Sequence, residues 1–271
     1  MSRIVEGRRG RMLIGRSRLF YCGLVGNSMK ARRHGALTIY AATDACFHIK
    51  VGRGHWQSRR VIALEPFTAH RLWSPSGYIS NICIEVERVD RLAIEKLITE
   101  TNDGSDGARL AHRVLAAWYE VAAIADAGGF STQEFDRHFL CQTLPPRELD
   151  PRIRRIFDLS LDDQLDQALS ADACAAKVGL STSRFLHLFK ENAGIPFRSL
   201  RSWKRARRFL VHASHDTSLT DVALDLGYPD SSHFSHSIRA TFGLKPRTIR
   251  DGARGIQVCF GEDYAIGALR R

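Results

Sequence analysis

One helical pattern occurs twice between Ala168 and Arg250, and a repeat at this spacing leaves a chain few folds to choose from. In the first copy Ser170 precedes ADACAAKV, Gly179-Leu180 interrupts the helix, Ser181 opens a new one, and Phe185 and Phe189 form an apolar pair ahead of Gly194. In the second, Ser218 and Asp221 have the spacing of a capping box for TDVALDL, Gly227-Tyr228 is the break, and Phe234 and Ile238 repeat the pair before Gly243. Gly227 follows Gly179 by 48 residues and Phe234 follows Phe185 by 49, so the second turn is one residue longer. Each copy reads as a helix-turn-helix.

Such a unit works when its second helix is pinned on one side and exposed on the other. Phe185, Leu188 and Phe189 pin STSRFLHLFKENA and leave Thr182, Ser183, Leu186 and His187 toward the surface. Phe234, Ile238 and Phe242 pin SSHFSHSIRATF and leave Ser231, His233, Ser235, His236 and Arg239 available. A helix of this width enters the DNA major groove, with small and polar side chains offered to bases or phosphates. Lys190 and Arg239 are the cations placed for phosphate. Between the copies, IPFRSLRSWKRARRFLVHAS has Leu200, Trp203, Ala206 and Leu210 on one stripe, with Arg201, Lys204, Arg205, Arg207 and Arg208 around the remainder. About 15 helical residues span roughly 22 Å, enough to hold two recognition helices at a fixed spacing for major grooves about 34 Å apart. Taken alone, that charge run also fits a solvated helix face.

These residues resemble the DNA-binding domain of the AraC/XylS family of transcription regulators. The matching positions are Gly227-Tyr228, Ser232, Phe234, Arg239, Phe242-Gly243, Pro246 and Arg250, with Gly179-Leu180-Ser181, Phe189-Lys190 and Gly194 as counterparts in the first unit. The resemblance adds Ser232 to the expected DNA-binding positions. Histidines 187 and 236 stand where the family commonly has Arg, isoleucines 238 and 249 where it has an aromatic residue, and Lys245 where it has Ser or Thr. The resemblance implies two helix-turn-helix units joined by a long helix, double-stranded promoter DNA as partner, and RNA polymerase as a further partner for an activator.

Charge alone does not locate that function. The chain of 271 residues carries a net charge of +11, but residues 1–60 hold 13 Lys/Arg against Glu6 and Asp44, while residues 161–250 carry a net +4. The N-terminal excess suits DNA phosphates, an anionic effector or a soluble surface. No run of about 18 apolar residues marks a membrane span, and MSRIVEGRRGRMLIG lacks the apolar centre of a secretory signal. A cytoplasmic protein without membrane partners is the expectation. Cys22, Cys46, Cys83, Cys141, Cys174 and Cys259 are scattered, with no Cys-x-x-Cys pair, and read as core thiols.

From Arg11 to Glu87 the chain reads as short strands divided by Gly, Asn, Asp and Pro, a pattern of antiparallel barrels and sandwiches. Here the resemblance implies a cupin-like β-barrel that binds a small effector and dimerises, with RRVIALEPFTAHRL as its passage ending in Pro and His. The expected effector-binding residues are Arg32, His34, Tyr40, Trp56, His70, Trp73 and Tyr78. His34, His48, His55 and His70 lack the paired HxH and acidic ligand of metal-dependent cupins, so neither metal nor cofactor is expected.

ARLAHRVLAAWYEVAAIADA then offers Leu110, Val114, Leu115, Trp118, Val121 and Ala122 on a helical stripe suited to domain core or a dimer interface. TNDGSDG within residues 100–107 reads as a loop, and Leu144 to Pro151 as the connector to DPRIRRIFDLSLDDQLDQAL. The fold expected is α+β: a cupin-like barrel with helices over 1–150, an all-α double helix-turn-helix over 151–254, and a tail over 255–271 where IQVCF suits an edge strand. The function expected is sequence-specific transcriptional regulation by a homodimer under a small-molecule effector. A cupin-type enzyme fused to a DNA-binding module, or a helical protein-interaction bundle, are the alternatives; no nucleophile-base set or phosphate-cradling glycine motif supports catalysis.

Overall fold

The computed structural model describes residues 10–25, 30–42, 46–103, 107–159, 170–213, 217–253 and 256–262. The stretch before Gly10, the centre of TNDGSDG, the second half of DPRIRRIFDLSLDDQLDQAL and the tail beyond Glu262 lie outside the described residues. Strands come first: β1 (Gly10–Ile14), β2 (Arg18–Leu24), β3 (Leu37–Ala41), β4 (Phe47–Val51), β5 (Trp56–Arg59), β6 (Val61–Leu64), β7 (His70–Trp73) and β8 (Tyr78–Ile84). Helices follow: α1 (Arg91–Asn102), α2 (Gly107–Gly128), α3 (Thr132–Leu140), α4 (Pro151–Leu159), α5 (Ala171–Lys177), α6 (Thr182–Ala193), α7 (Phe197–His212), α8 (Leu219–Asp225), α9 (Ser231–Phe242) and α10 (Pro246–Ala253). The last described element is β9 (Ile256–Phe260).

The α+β class holds, but the cupin-like β-barrel does not form. The strands make an open six-stranded sheet, ordered β6-β3-β8-β2-β1-β9, and a separate three-stranded sheet, ordered β5-β4-β7. Neither closes among the described residues. Short alternating strands dictate antiparallel pairing of neighbours, whereas closure depends on whether distant edges meet. Here the free edge of β1 is taken by β9, which pairs in parallel with Gly10 opposite Ile256 and Ile14 opposite Phe260, making the sheet mixed. IQVCF is thus an edge strand of the N-terminal sheet.

Strand β3 is buried throughout because both of its faces are covered. On one side lie Ile94 and Leu97 of α1 and Val114, Trp118 and Val121 of α2, in one core with Leu13, Phe20, Ile39 and Ile82. The Phe20 ring sits 5.9 Å from that of Trp118 and 4.8 Å from that of Phe139. On the other side Tyr40 joins Phe47, Ile49, Leu72 and Ile79 between the two sheets. Arg18 of β2 and Asp136 of α3, both almost fully buried, form a bidentate pair with bonds of 2.7 and 2.9 Å.

The C-terminal helices divide between two cores. Phe157, Phe185, Phe189 and Phe197 continue the core of the sheet, while Val222, Phe234 and Ile238 form a second cluster. Helix α7 belongs to both, giving Leu200 and Trp203 to the first and Ala206 and Phe209 to the second. Ser170 and Ser181 cap α5 and α6, accepting from the N–H groups of Ala173 and Arg184. The expected Ser218–Asp221 capping box does not close: the Ser218 hydroxyl accepts from Thr220 N–H at 3.2 Å, so the cap is made one residue earlier.

Candidate nucleic-acid interface

Both interruptions in the repeat are left-handed glycines, Gly179 at φ 66° and Gly227 at φ 71°, a conformation that costs an L side chain energy. Each is followed by an equivalent backbone bond, Leu180 N–H to Ala175 O at 3.0 Å and Tyr228 N–H to Ala223 O at 2.9 Å. The two turns therefore open alike, the second running one residue longer to its cap, and each delivers the chain into a recognition helix, α6 or α9.

Helix α6 buries Phe185, Leu188 and Phe189 and exposes Ser183, Arg184, His187 and Lys190. Thr182 is half-buried and donates its hydroxyl to Asp172, tying the start of α6 to α5. Helix α9 buries Phe234 and Ile238 and exposes Ser231, Ser232, His233 and His236, with Ser235 and Arg239 half-buried beside them. Every DNA-binding position expected from the sequence thus lies on one of these helices. Asp230, missed in the sequence, caps α9: one carboxylate oxygen accepts from the N–H groups of Ser232 and His233, and the other meets the His233 ring at 2.7 Å. These bonds hold its carboxyl below the ordinary range. An Asp ahead of a helical run was the available signal.

The basic helix between the units is not a uniform solvated stripe. Trp203 Nε1 donates to Glu85 at 3.0 Å, Arg207 donates to the same carboxylate at 3.3 Å, and Lys204 bonds it as well while pairing with Glu87 at 3.0 Å. Arg207 also donates to the carbonyls of Gly15 and Arg16. Burial alone would push Glu85 up, but the charges of Lys204 and Arg207, with the bonds from Lys204 and Trp203, hold its pKa at about 2. Arg205 faces the other way, over the Tyr228 ring at 5.0 Å. Three side chains of α7 thereby clamp the helix to the end of β8 and the turn after it.

A cavity of about 510 Å³ opens between the larger sheet and the second helix-turn-helix unit. Met12, Leu19, Tyr21, Ile79 and Ile256 wall it from the sheet, and Leu210, Phe242 and Ile249 from the helices. Of the expected effector residues, Arg32, His34, Tyr40 and Tyr78 line it. His70 stands behind Tyr40, its Nε2 at 2.8 Å from the phenol oxygen and its Nδ1 at 2.8 Å from Thr68 O. A carbonyl only accepts, so Nδ1 carries the proton and Nε2 accepts from Tyr40. Trp56 and Trp73 lie elsewhere, on the outer face of the three-stranded sheet.

Arg32 is 5% exposed, and its Nε and Nη2 have no hydrogen-bond partner among the described residues. Its backbone pairs with His70, and the next residue, Arg33, donates its N–H to Ala240 O and Thr241 O at the end of α9. Gly243, left-handed at φ 74°, closes that helix so tightly that a Cβ there would lie 3.1 Å from Arg32 Nε. Cavity and recognition helix therefore share one loop.

Fold and site define a tandem helix-turn-helix protein carrying a strand-rich N-terminal half. Residues 174–252 match the family model described as a helix-turn-helix domain. The transcriptional activator RhaS of Escherichia fergusonii is 37% identical over 95 residues, which cover 34% of this chain and 34% of that protein. The chain matches about a third of the length of such curated relatives. Among solved structures, ToxT of Vibrio cholerae O395 aligns over 89% of this chain and 99% of its own at 13% identity and a TM-score of 0.52, a likeness of fold. A second ToxT structure, bound to (E)-4-(8-methylnaphthalen-1-yl)but-3-enoic acid, aligns over 88% and 99% at 11% identity and a TM-score of 0.50. Over this C-terminal region the chain is similar to helix-turn-helix transcriptional activators. Among the described residues no helix is long and apolar enough to cross a membrane.

Proposed function

We propose that the chain binds double-stranded promoter DNA sequence-specifically through α6 and α9 and regulates transcription under a small-molecule effector, without catalysing a reaction. The observation that carries this reading is the pair of units, alike in their turn hydrogen bonds, each offering a polar exposed recognition face. The identity to activators of the RhaS type over this same region supports it. The working division is 1–150 for effector binding and 151–254 for DNA, with no role given to 255–271, in which β9 pairs with β1. A homodimer, and RNA polymerase as partner of an activator, complete the proposal; sedimentation showing only monomer at physiological concentration would remove the dimer.

On this reading Ser183, His187, Ser231, His233 and His236 meet base edges, while Lys190 and Arg239 meet phosphate. Substituting the first group should change the preferred sequence, each good contact contributing roughly 1 to 3 kcal/mol of discrimination. Lys190→Gln or Arg239→Gln should instead weaken all sequences alike and lower the slope of log affinity against log salt by about one. Selection from a randomised promoter library at several salt concentrations separates the two. Folded variants of the first group that keep the parental preference while losing affinity uniformly would overturn the assignment.

The cavity is read as the effector site and Arg32 as the anchor for an acid group on an otherwise apolar ligand. Its buried, unpartnered guanidinium nitrogens and apolar walls support this, as does the carboxylic acid bound in the ToxT structure. In a thermal-shift screen, apolar carboxylates should raise the melting temperature, with stabilisation near 3 kcal/mol at a hundredfold excess over Kd. The matching alcohols should not, and Arg32→Gln should erase the difference. Equal shifts from acids and alcohols would count against Arg32 as anchor.

A further inference from the structure

We propose that the outer face of the three-stranded sheet binds an unstacked nucleic-acid strand, separately from the recognition helices. Strand alternation sends Phe47, Ile49 and Leu72 into the core and leaves two rows on the opposite face. Register sets Trp56, Lys50 and Arg71 side by side in one row, and Ser58, His48 and Trp73 in the next. Trp56 is 40% exposed and Trp73 43%, and the His48 ring lies 4.9 Å from that of Trp73 at 32°, buttressing it.

The charge around the rings is of one sign. Lys50 and Arg71 are adjacent cations on this face, and residues 46–64, which also hold Arg53, Arg59 and Arg60, contain no Asp or Glu. Lys50 and Arg71 enter no ion pair among the described residues. Cations interleaved with indoles suit a strand whose phosphates track the charges while its bases stack on the rings.

Other occupants fit less well. Duplex DNA keeps its base faces stacked inside and leaves both indoles unused. An acidic peptide uses the cations alone. A membrane anchor projects its aromatic residues, whereas more than half of each tryptophan here is covered. From strand spacing, Trp56 and Trp73 lie about 12 Å apart along the diagonal, so they would take two bases of one strand rather than clasp one.

The test uses the full chain and fluorescein-labelled 12-nucleotide oligothymidine and oligouridine, with saturating unlabelled promoter duplex occupying the recognition helices. Both oligonucleotides should bind and quench tryptophan emission, because Trp118 and Trp203 are buried. The tighter of the two identifies DNA or RNA as the source. Trp73→Ala should weaken oligonucleotide binding about tenfold or more, and Lys50→Gln with Arg71→Gln should lower the salt slope by roughly 1.4. Both variants should keep promoter affinity within twofold. Oligonucleotide binding that vanishes under saturating duplex, that the variants leave unchanged, or that polyglutamate or anionic phosphatidylserine vesicles displace equally well would overturn the proposal. So would no binding at all by a protein that still holds its promoter. Circular dichroism melts on each variant keep a folding defect from imitating a lost contact.

Discussion

Replacing Glu85 by Ala should lower the melting temperature by on the order of 10 °C, the largest effect expected from any single charged side chain here. The substitution removes a shared carboxylate from two buried cations: Lys204 keeps Glu87, and Arg207 keeps its bonds to backbone carbonyls. Removing one partner of a buried ionic group costs about 3 to 5 kcal/mol, because the remaining charge stays out of water without compensation. In a chain of this size each kcal/mol moves the midpoint by roughly 2 to 4 °C. Glu85→Gln should fall between, since an amide oxygen still accepts from Trp203 while the charge is gone. Lys204→Met should also be costly: Glu85 then retains Arg207 and Trp203, but the fully buried Glu87 loses the cation it pairs with. Thermal denaturation followed by circular dichroism measures all three, and a loss below about 1 kcal/mol for Glu85→Ala would mean that the clamp is not a structural bond.

Mild acid should destabilise the protein through its buried imidazoles. Burial lowers His70 from 6.5 to about 4, with Arg32 adding to it against the opposing bond to Thr68. Burial, then His70 and Arg32, hold His34 well below its ordinary value. Both folded-state pKa values are depressed in groups that are charged when protonated, so the fold favours the neutral form. The stability they contribute is full above pH 6.5 and is lost as pH falls from 6.5 toward 4. For His70 alone the shift corresponds to roughly 3 kcal/mol. Glu85 shares the direction but acts lower, losing its contribution between 4.5 and about 2. Urea titrations between pH 7 and 4.5 should therefore show stability falling with acid, and His70→Gln should flatten the curve. A wild-type curve flat over that interval would contradict the neutral, bonded state of His70.

The repeated unit was legible because its determinants are local. A glycine at a left-handed turn, a serine cap and an apolar pair one helical turn apart all act within a dozen residues, and Gly179, Ser181, Phe185 and Phe189 each occupy the expected place. The clamp was not legible, because its partners are far apart: Lys204 and Glu85 are separated by 119 residues. Helical periodicity sees six Lys/Arg along α7 and cannot tell a solvated arginine from Arg207, which is 4% exposed. The open sheets were hidden for the same reason, since β9 reaches β1 only after every helix has been built. The position of Trp73 did carry a usable signal. In HRLW the apolar Leu72 points inward, and a period of two then sends Arg71 and Trp73 outward.

A helical unit hung from one length of chain swivels freely. Here Ile153, Ile156 and Phe157 of α4 are buried in the shared core, and β9, after the last helix, pairs with β1. The helices are thus tied to the N-terminal half at both ends, and a third time in the middle by the clamp on α7. Met12 and Ile256, from the paired strands, both line the cavity. On the proposed reading, a molecule seated there would bear on the strand that fastens the helices to the sheet, not on a loose tether.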